Sequence, residues 1–251
     1  MTLLKILDHI GLTLLKSPRI FYFHSFGTEK GDMELSVFED IVKSFYRLGY
    51  VICSLDKLCL HKKKVISFTF DDGYKNNLEA IKILNKYGFS GTIFVCSDFI
   101  NSPAIKEKTN LYKNREFLSE NDLIEITELG SEIASHGTKH SNFNHLTVRE
   151  TKDQLSESRK KIEGVINKDV TNFAFPNGQR GAFKAKYNYE SSGYKYICTT
   201  VWGTFKVNNI IQNRCEVRAT DNFKIIYIKL AGLFIHRWLY DRVTNRGNLW
   251  Y

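Results

Sequence analysis

Apolar runs ending in polar or glycine residues recur along this chain at a pitch that predicts alternating strands and helices. Ile20-Phe21-Tyr22-Phe23 leads into His24, and Val65-Ile66-Ser67-Phe68-Thr69-Phe70 leads into Asp71-Asp72-Gly73. Further strands are expected at Thr92 to Cys96, at Ile133 to Ser135, at Asn172 to Phe175 and at Ile210 to Asn213. Between them, apolar positions at helical spacing predict helices from Leu35 to Leu48 before Gly49, from Asn76 to Tyr87 before Gly88, and from Ser119 to Leu129. Thr147-Val148-Arg149-Glu150 has the form of a capping box, in which the Thr side chain and the Glu carboxylate satisfy free helix N–H groups. The longest helix should follow it to about Val165. Such alternation is the mark of a parallel sheet or barrel.

The first sixteen residues set Leu3, Leu4, Leu7, Ile10, Leu14 and Leu15 at helical spacing, and Pro18 ends that element. Residues 1–18 are therefore read as an amphipathic helix packed on the domain formed by 19–251, the alternative being peripheral contact with a membrane surface. Lys5, Asp8 and His9 break its apolar run, so neither a signal peptide nor a spanning helix fits, and a cytoplasmic location is expected. Residues 100 to 117 carry little periodicity and several lysines, as a loop across the barrel mouth would. A second amphipathic helix is expected from Phe223 to Val243.

Composition adds less. With 251 residues, 43% of them hydrophobic and only 3 prolines, the chain suits one large α/β domain. Its net charge of +9 suits an anionic partner or, equally, a solvated basic surface, and no compact basic and aromatic motif points to nucleic acid. The five cysteines are scattered and odd in number, which suits reduced core thiols and not a disulfide framework.

The chemistry-bearing residues stand at strand ends. Side chains on a strand alternate faces, so Asp71 and Asp72 act together only where the strand stops and the backbone turns, as Gly73 allows. Taken alone, Asp-Asp-Gly is equally a polar turn. His136 and His140 change the balance. They follow a second apolar strand, and their spacing puts both imidazoles on one side of a helical turn or tight loop. One carboxylate with two imidazoles is a normal set for a catalytic zinc with an open position for water. His24 also ends a strand, on the face where such barrels carry their sites, although a structural histidine is the commoner finding there.

Thr69 to Gly73, Ser135-His136 with His140, and Phe173-Ala174-Phe175-Pro176-Asn177-Gly178 resemble, in order and spacing, the motifs of the polysaccharide deacetylase family, the NodB-homology domain. The resemblance covers roughly residues 19 to 220. It implies a distorted TIM-like (β/α) barrel with fewer than eight regular strands, and metal-dependent removal of an acyl group from an amino sugar. By that resemblance Asp72, His136 and His140 hold Zn²⁺ or another divalent transition metal. Asp71 is the catalytic base, and the Asn177 backbone N–H stabilises the oxyanion. Ala174 departs from the pattern, since many members carry there an arginine that orients the base; Arg214 is the candidate to supply that charge. Leu233-Phe234-Ile235-His236 matches the letters of the family's Leu-x-x-His motif, whose histidine is the general acid, but it falls within the expected C-terminal helix. Trp202 is either a wall for the acetyl methyl or a packing residue.

The substrate expected is a carbohydrate: an N-acetyl sugar of a surface polysaccharide or of its nucleotide- or lipid-linked precursor. A deformylase of a lipid-linked amino sugar and a glycan-binding module that has lost catalysis are the alternatives.

Overall fold

The computed structural model describes residues 18–60, 64–102, 115–178 and 187–231. Nine strands form one all-parallel sheet: β1 (Arg19–Phe23), β2 (Val51–Cys53), β3 (Val65–Phe70), β4 (Thr92–Val95), β5 (Glu132–Ser135), β6 (Asn172–Ala174), β7 (Tyr196–Cys198), β8 (Ile211–Gln212) and β9 (Cys215–Glu216). Among the described residues, five α-helices join or flank them: α1 (Leu35–Arg47), α2 (Asn77–Lys86), α3 (Glu120–Glu128), α4 (Val148–Ile166) and α5 (Phe223–Leu230). The strand order is β8-β7-β6-β5-β4-β3-β1-β9, with β2 lying beside the first half of β3.

β8 and β9 stand at opposite ends of that order, yet only Asn213 and Arg214 separate them. On one side this stretch accepts from Ile197 N through Ile210 O and from Thr199 N through Gln212 O; on the other, Val217 N donates to Tyr22 O. One stretch therefore serves both ends of the sheet, which curls into the distorted barrel expected. Only β1, β3, β4 and β5 run to four residues or more. The strands β2 and β7, each three residues long, carry too little pattern to be expected from the sequence.

Alternation along the strands sorts the core into two layers. Phe21, Phe23, Phe68, Phe70, Ile93, Ile133, Phe173 and Ile197 face the helices. Ile20, Val65, Phe94, Ala134, Ala174, Tyr196 and Cys198 form a second cluster with Leu55, Leu58 and Phe205 in the bore. Because β3 is covered on both faces, all six of its residues are buried. The bore narrows to alanines on β5 and β6, and that leaves room for a long polar side chain higher up.

The capping box is formed as expected. Thr147 N donates to Glu150 Oε2 at 2.8 Å, and Glu150 N to Thr147 Oγ1 at 3.2 Å. α4 then buries Thr151, Leu155, Ser158, Ile162 and Ile166 at helical spacing, and Asn167 ends it in the left-handed conformation. All five cysteines are free thiols; four are buried as expected, whereas Cys59 is exposed. The expected helix at 1–16 lies outside the described residues, as does the C-terminal one beyond residue 231. No helix among the described residues is long and apolar enough to cross a membrane.

Candidate metal centre and active site

β3 delivers both carboxylates to the end of the barrel. Asp71 N makes a further ladder bond to Phe23 O at 3.0 Å, after which the backbone turns sharply, with φ of 75° at Asp72 and 77° at Gly73. A positive φ is costly for an aspartate and is held only where surrounding structure insists. At Gly73 a side chain would also collide, since a Cβ there would stand 2.9 Å from Val95 Cγ1. The turn lets adjacent residues, 3% and 5% exposed, serve one site.

β5 delivers the histidines. His136 N donates to Val95 O at 2.9 Å, and the loop from Gly137 to His140 is tight, with His140 at φ 56°. Gln154 of α4 pins this loop through its Oε1, which accepts from Thr138 N at 3.0 Å and Thr138 Oγ1 at 2.8 Å. His136 Nδ1 lies 2.8 Å from Ala174 O. A carbonyl only accepts, so Nδ1 carries the proton and Nε2 presents a lone pair to the site. Ala174 thus has a role after all, through its backbone.

His136 Nε2 and His140 Nε2 lie 3.5 Å and 3.2 Å from Asp72 Oδ1. Asp72 Oδ1 is buried and takes no hydrogen bond. At His136 a lone pair faces a carboxylate oxygen across this gap, an arrangement that a bound cation would satisfy. Metal–ligand bonds of about 2.1 Å in a tetrahedron place ligand atoms about 3.4 Å apart, which both separations match. The three residues therefore fit a divalent ion, and they form a group whose ligand atoms all lie within 4.8 Å of one another.

Asp71 stands outside this set and meets Arg214. The guanidinium reaches through the bore in a bidentate pair, Nη1 to Oδ1 at 2.6 Å and Nη2 to Oδ2 at 2.8 Å. Its Nε donates to Thr199 O at 3.0 Å and Nη1 also to Thr69 Oγ1 at 3.2 Å. Tyr22 and Phe94 rings lie 4.6 and 5.3 Å from its central carbon. Arg214 is wholly buried, so this ion pair is dry. Burial alone would raise the Asp71 pKa; the charge of Arg214, with smaller help from His136 and His24, lowers it instead, so Asp71 is ionised at neutral pH.

The remaining expected residues divide. Asn177 is exposed at the end of β6 with φ 59°, and its N–H has no partner among the described residues. The turn is tight behind it, where Gly178 packs against Thr200 closely enough to exclude any side chain. Trp202 faces the Lys229 ammonium at 5.3 Å, beside α5, which is a packing contact. His236 lies outside the described residues. His24, which the sequence offered only as a strand-end histidine, is exposed at the end of β1 and near enough to Asp71 for its charge to be felt there. Its backbone is anchored by Asn77 Nδ2, which donates to His24 O at 2.7 Å.

The family model described as polysaccharide deacetylase matches residues 60–197, more than half of the chain. This chain belongs to the polysaccharide deacetylase family. Its aspartate pair and its two histidines fall within the matched segment. Over 139 residues it is 28% identical to YxkH of Bacillus subtilis (strain 168), a protein assigned by its name to the polysaccharide deacetylases. The match takes in 55% of this chain and 45% of the relative, so the chain spans about half the length of that protein. Among solved structures it is similar to the Streptococcus pyogenes deacetylase PplD in complex with acetate (TM-score 0.72, 16% identity, 85% of this chain and 98% of that one). A polysaccharide deacetylase from Bacillus cereus aligns with TM-score 0.72 at 19% identity, over 85% of this chain and 69% of that one. IcaB from Ammonifex degensii aligns with TM-score 0.70 at 12% identity, over 86% and 97%. At these identities the likeness speaks for the fold alone.

Proposed function

We propose that this deacetylase-family chain is a metal-dependent hydrolase that removes the N-acetyl group from an amino sugar of a surface polysaccharide or of its nucleotide- or lipid-linked precursor. One observation carries the reading: Asp71 is ionised, excluded from the metal-ligand set and clamped by Arg214, directly beside Asp72 and the two imidazoles. A protein that only held a metal or a glycan would have no use for that second, oriented carboxylate.

Asp72, His136 and His140 would hold the ion, zinc by the nature of the donors, which when bound acidifies water and polarises the amide carbonyl. Asp71 accepts the proton of the attacking water, with Arg214 fixing the carboxylate plane so that one oxygen faces the reaction. The Asn177 N–H is free to meet the carbonyl oxygen as negative charge builds on it, a contribution of about 3 to 4 kcal/mol for one such donor. His24 gives a proton to the departing amine, since it is the exposed imidazole at the end of β1, alongside the strand that carries the base.

The test is acetate and formate release from N-acylated sugars, free, nucleotide-linked and lipid-linked, by metal-loaded wild type and two variants. Asp71→Asn should keep its metal yet lose turnover, whereas His136→Ala should lose the metal and the thermal stabilisation it brings. At a metal concentration of about 100 times the Kd that stabilisation is about 2.7 kcal/mol. Full activity in metal-loaded Asp71→Asn would overturn the assignment of the base. Formate in place of acetate would make the protein a deformylase.

A further inference from the structure

Behind the metal-binding loop lies a groove of about 610 Å³ lined by Ser97, Asp98, Thr138, Lys139, Gln154, Glu157, Lys160 and Lys161, and the reaction proposed above makes no use of it. Three features define its chemistry. Every lining residue carries a polar or charged group at its tip. It holds three ammonium groups against two carboxylates, and one of those carboxylates is already engaged, Asp98 pairing with Lys161 at 3.1 Å. Lys139 and Lys160 are exposed and have no carboxylate partner among the described residues. The third feature is Ser97, wholly buried in the groove wall with a hydroxyl that finds no hydrogen-bond partner. A buried hydroxyl left unsatisfied costs about 1–3 kcal/mol, unless a ligand or water completes it.

Position ties the groove to the reaction. Lys139 precedes the ligand-set residue His140 directly, so their Cα atoms are about 3.8 Å apart. The groove wall is rigidly built, because Ser97 N donates to Gly137 O and Asp98 N to Thr138 O, both at 3.0 Å, locking the loop to the end of β4. The groove thus adjoins the loop that carries His140, and a substituent extending past that loop from a sugar held at the metal would meet Lys139.

We propose that this groove is a subsite for an anionic group of the substrate, a phosphate or carboxylate attached to or next to the sugar that is deacylated, held by Lys139 and Lys160 and completed by the Ser97 hydroxyl. The proposal rests on the deacetylase reading of the adjoining centre and narrows its substrate to anionic glycans. Glu157 is the opposing charge and sets a limit on how tightly an anion is held.

The experiment is calorimetric titration of the metal-loaded full chain with an N-acetylglucosamine phosphate, a uronate-containing disaccharide and a neutral N-acetylglucosamine oligomer, with acetate release followed in parallel. Wild type is compared with Lys139→Ser/Lys160→Ser and with Glu157→Gln, each first shown to be folded by its thermal transition. Affinity for one of the anionic ligands should fall about tenfold in the double variant and weaken with salt, while Glu157→Gln tightens it and the neutral oligomer is unaffected. Which anion responds distinguishes phosphate from carboxylate. Anionic ligands that bind no better than the neutral one, or that bind the double variant as they bind wild type, would overturn the subsite. Lysine-dependent anion binding with no acetate released from any sugar would uphold the subsite and sink the deacetylase reading. Acetate released from neutral oligomers with no lysine dependence anywhere would do the reverse.

Discussion

Arg214 shows what one residue carries here. A dry ion pair gains little overall, because desolvating two charges consumes most of their attraction. Removing one partner is another matter. Arg214→Ala would leave Asp71 buried and unpaired, at a cost of about 3–5 kcal/mol. Thermal melting should show the loss, and turnover should fall, though no further than in Asp71→Asn. Arg214→Lys should recover stability in part but turnover poorly, since an ammonium cannot make the paired contact. For His24, replacement by Gln should leave metal content unchanged and lower kcat by about 10²–10⁴, the usual span for a lost proton donor. Unchanged kcat would return the search for the acid to the segment containing His236. Residues of this kind are unevenly legible in sequence. His136 and His140 follow a strand at a spacing that pairs them, whereas Asp72 was chosen over Asp71 only through the family resemblance. Arg214 is distant in sequence and recognisable only as a charge that the site lacked. Its clamp by Tyr22, Phe94, Thr69 and Thr199 could be anticipated only from knowing which strand faces meet inside the bore.

At the scale of elements, the site depends on how β3 ends. Gly73 must adopt φ 77° with Val95 Cγ1 in the space a Cβ would need. Gly73→Ala therefore meets backbone strain and a steric clash together, and about 1–3 kcal/mol should be lost. Because the clash pushes on the very turn that swings Asp72 toward the histidines, metal affinity should fall with stability; titration of metal into the variant, alongside its melting curve, checks both. Long elements were legible where a periodic face was anchored by a cap, as in α4 with its Thr147 and Glu150. Three-residue strands such as β2 and β7 were not. Such a run is too short to show alternation, and its place in the sheet comes from the neighbours that bond to its backbone, β3 alone for β2, and β6 and β8 for β7.

The molecule as a whole stores a second titratable cluster at the opposite end of the barrel. Glu132, at the start of β5, accepts from Thr92 Oγ1 at 2.7 Å, Asn172 Nδ2 at 2.5 Å and Asp56 N at 3.2 Å. Burial and the nearby Asp56 carboxylate push its pKa up to about 7 against those hydrogen bonds. The folded state thus holds a proton that the unfolded chain releases near its ordinary value of 4.5. The stability linked to that proton is complete below the unfolded pKa and is lost as pH rises through the folded one. Melting temperatures measured from about pH 5 to about pH 8 should decline for wild type more steeply than for Glu132→Gln, whose amide does not titrate; parallel curves would show that Glu132 is ionised throughout. The barrel has one more property that follows from its closure. The stretch bearing Arg214 is also the last stave, bonded to β7 on one side and β1 on the other, and the contact it brings to Asp71 spans 143 residues. The pair that orients Asp71 is therefore complete only when the last stave has joined both edges of the sheet, so a chain that lacks that stave would fold its aspartates and histidines without the clamp.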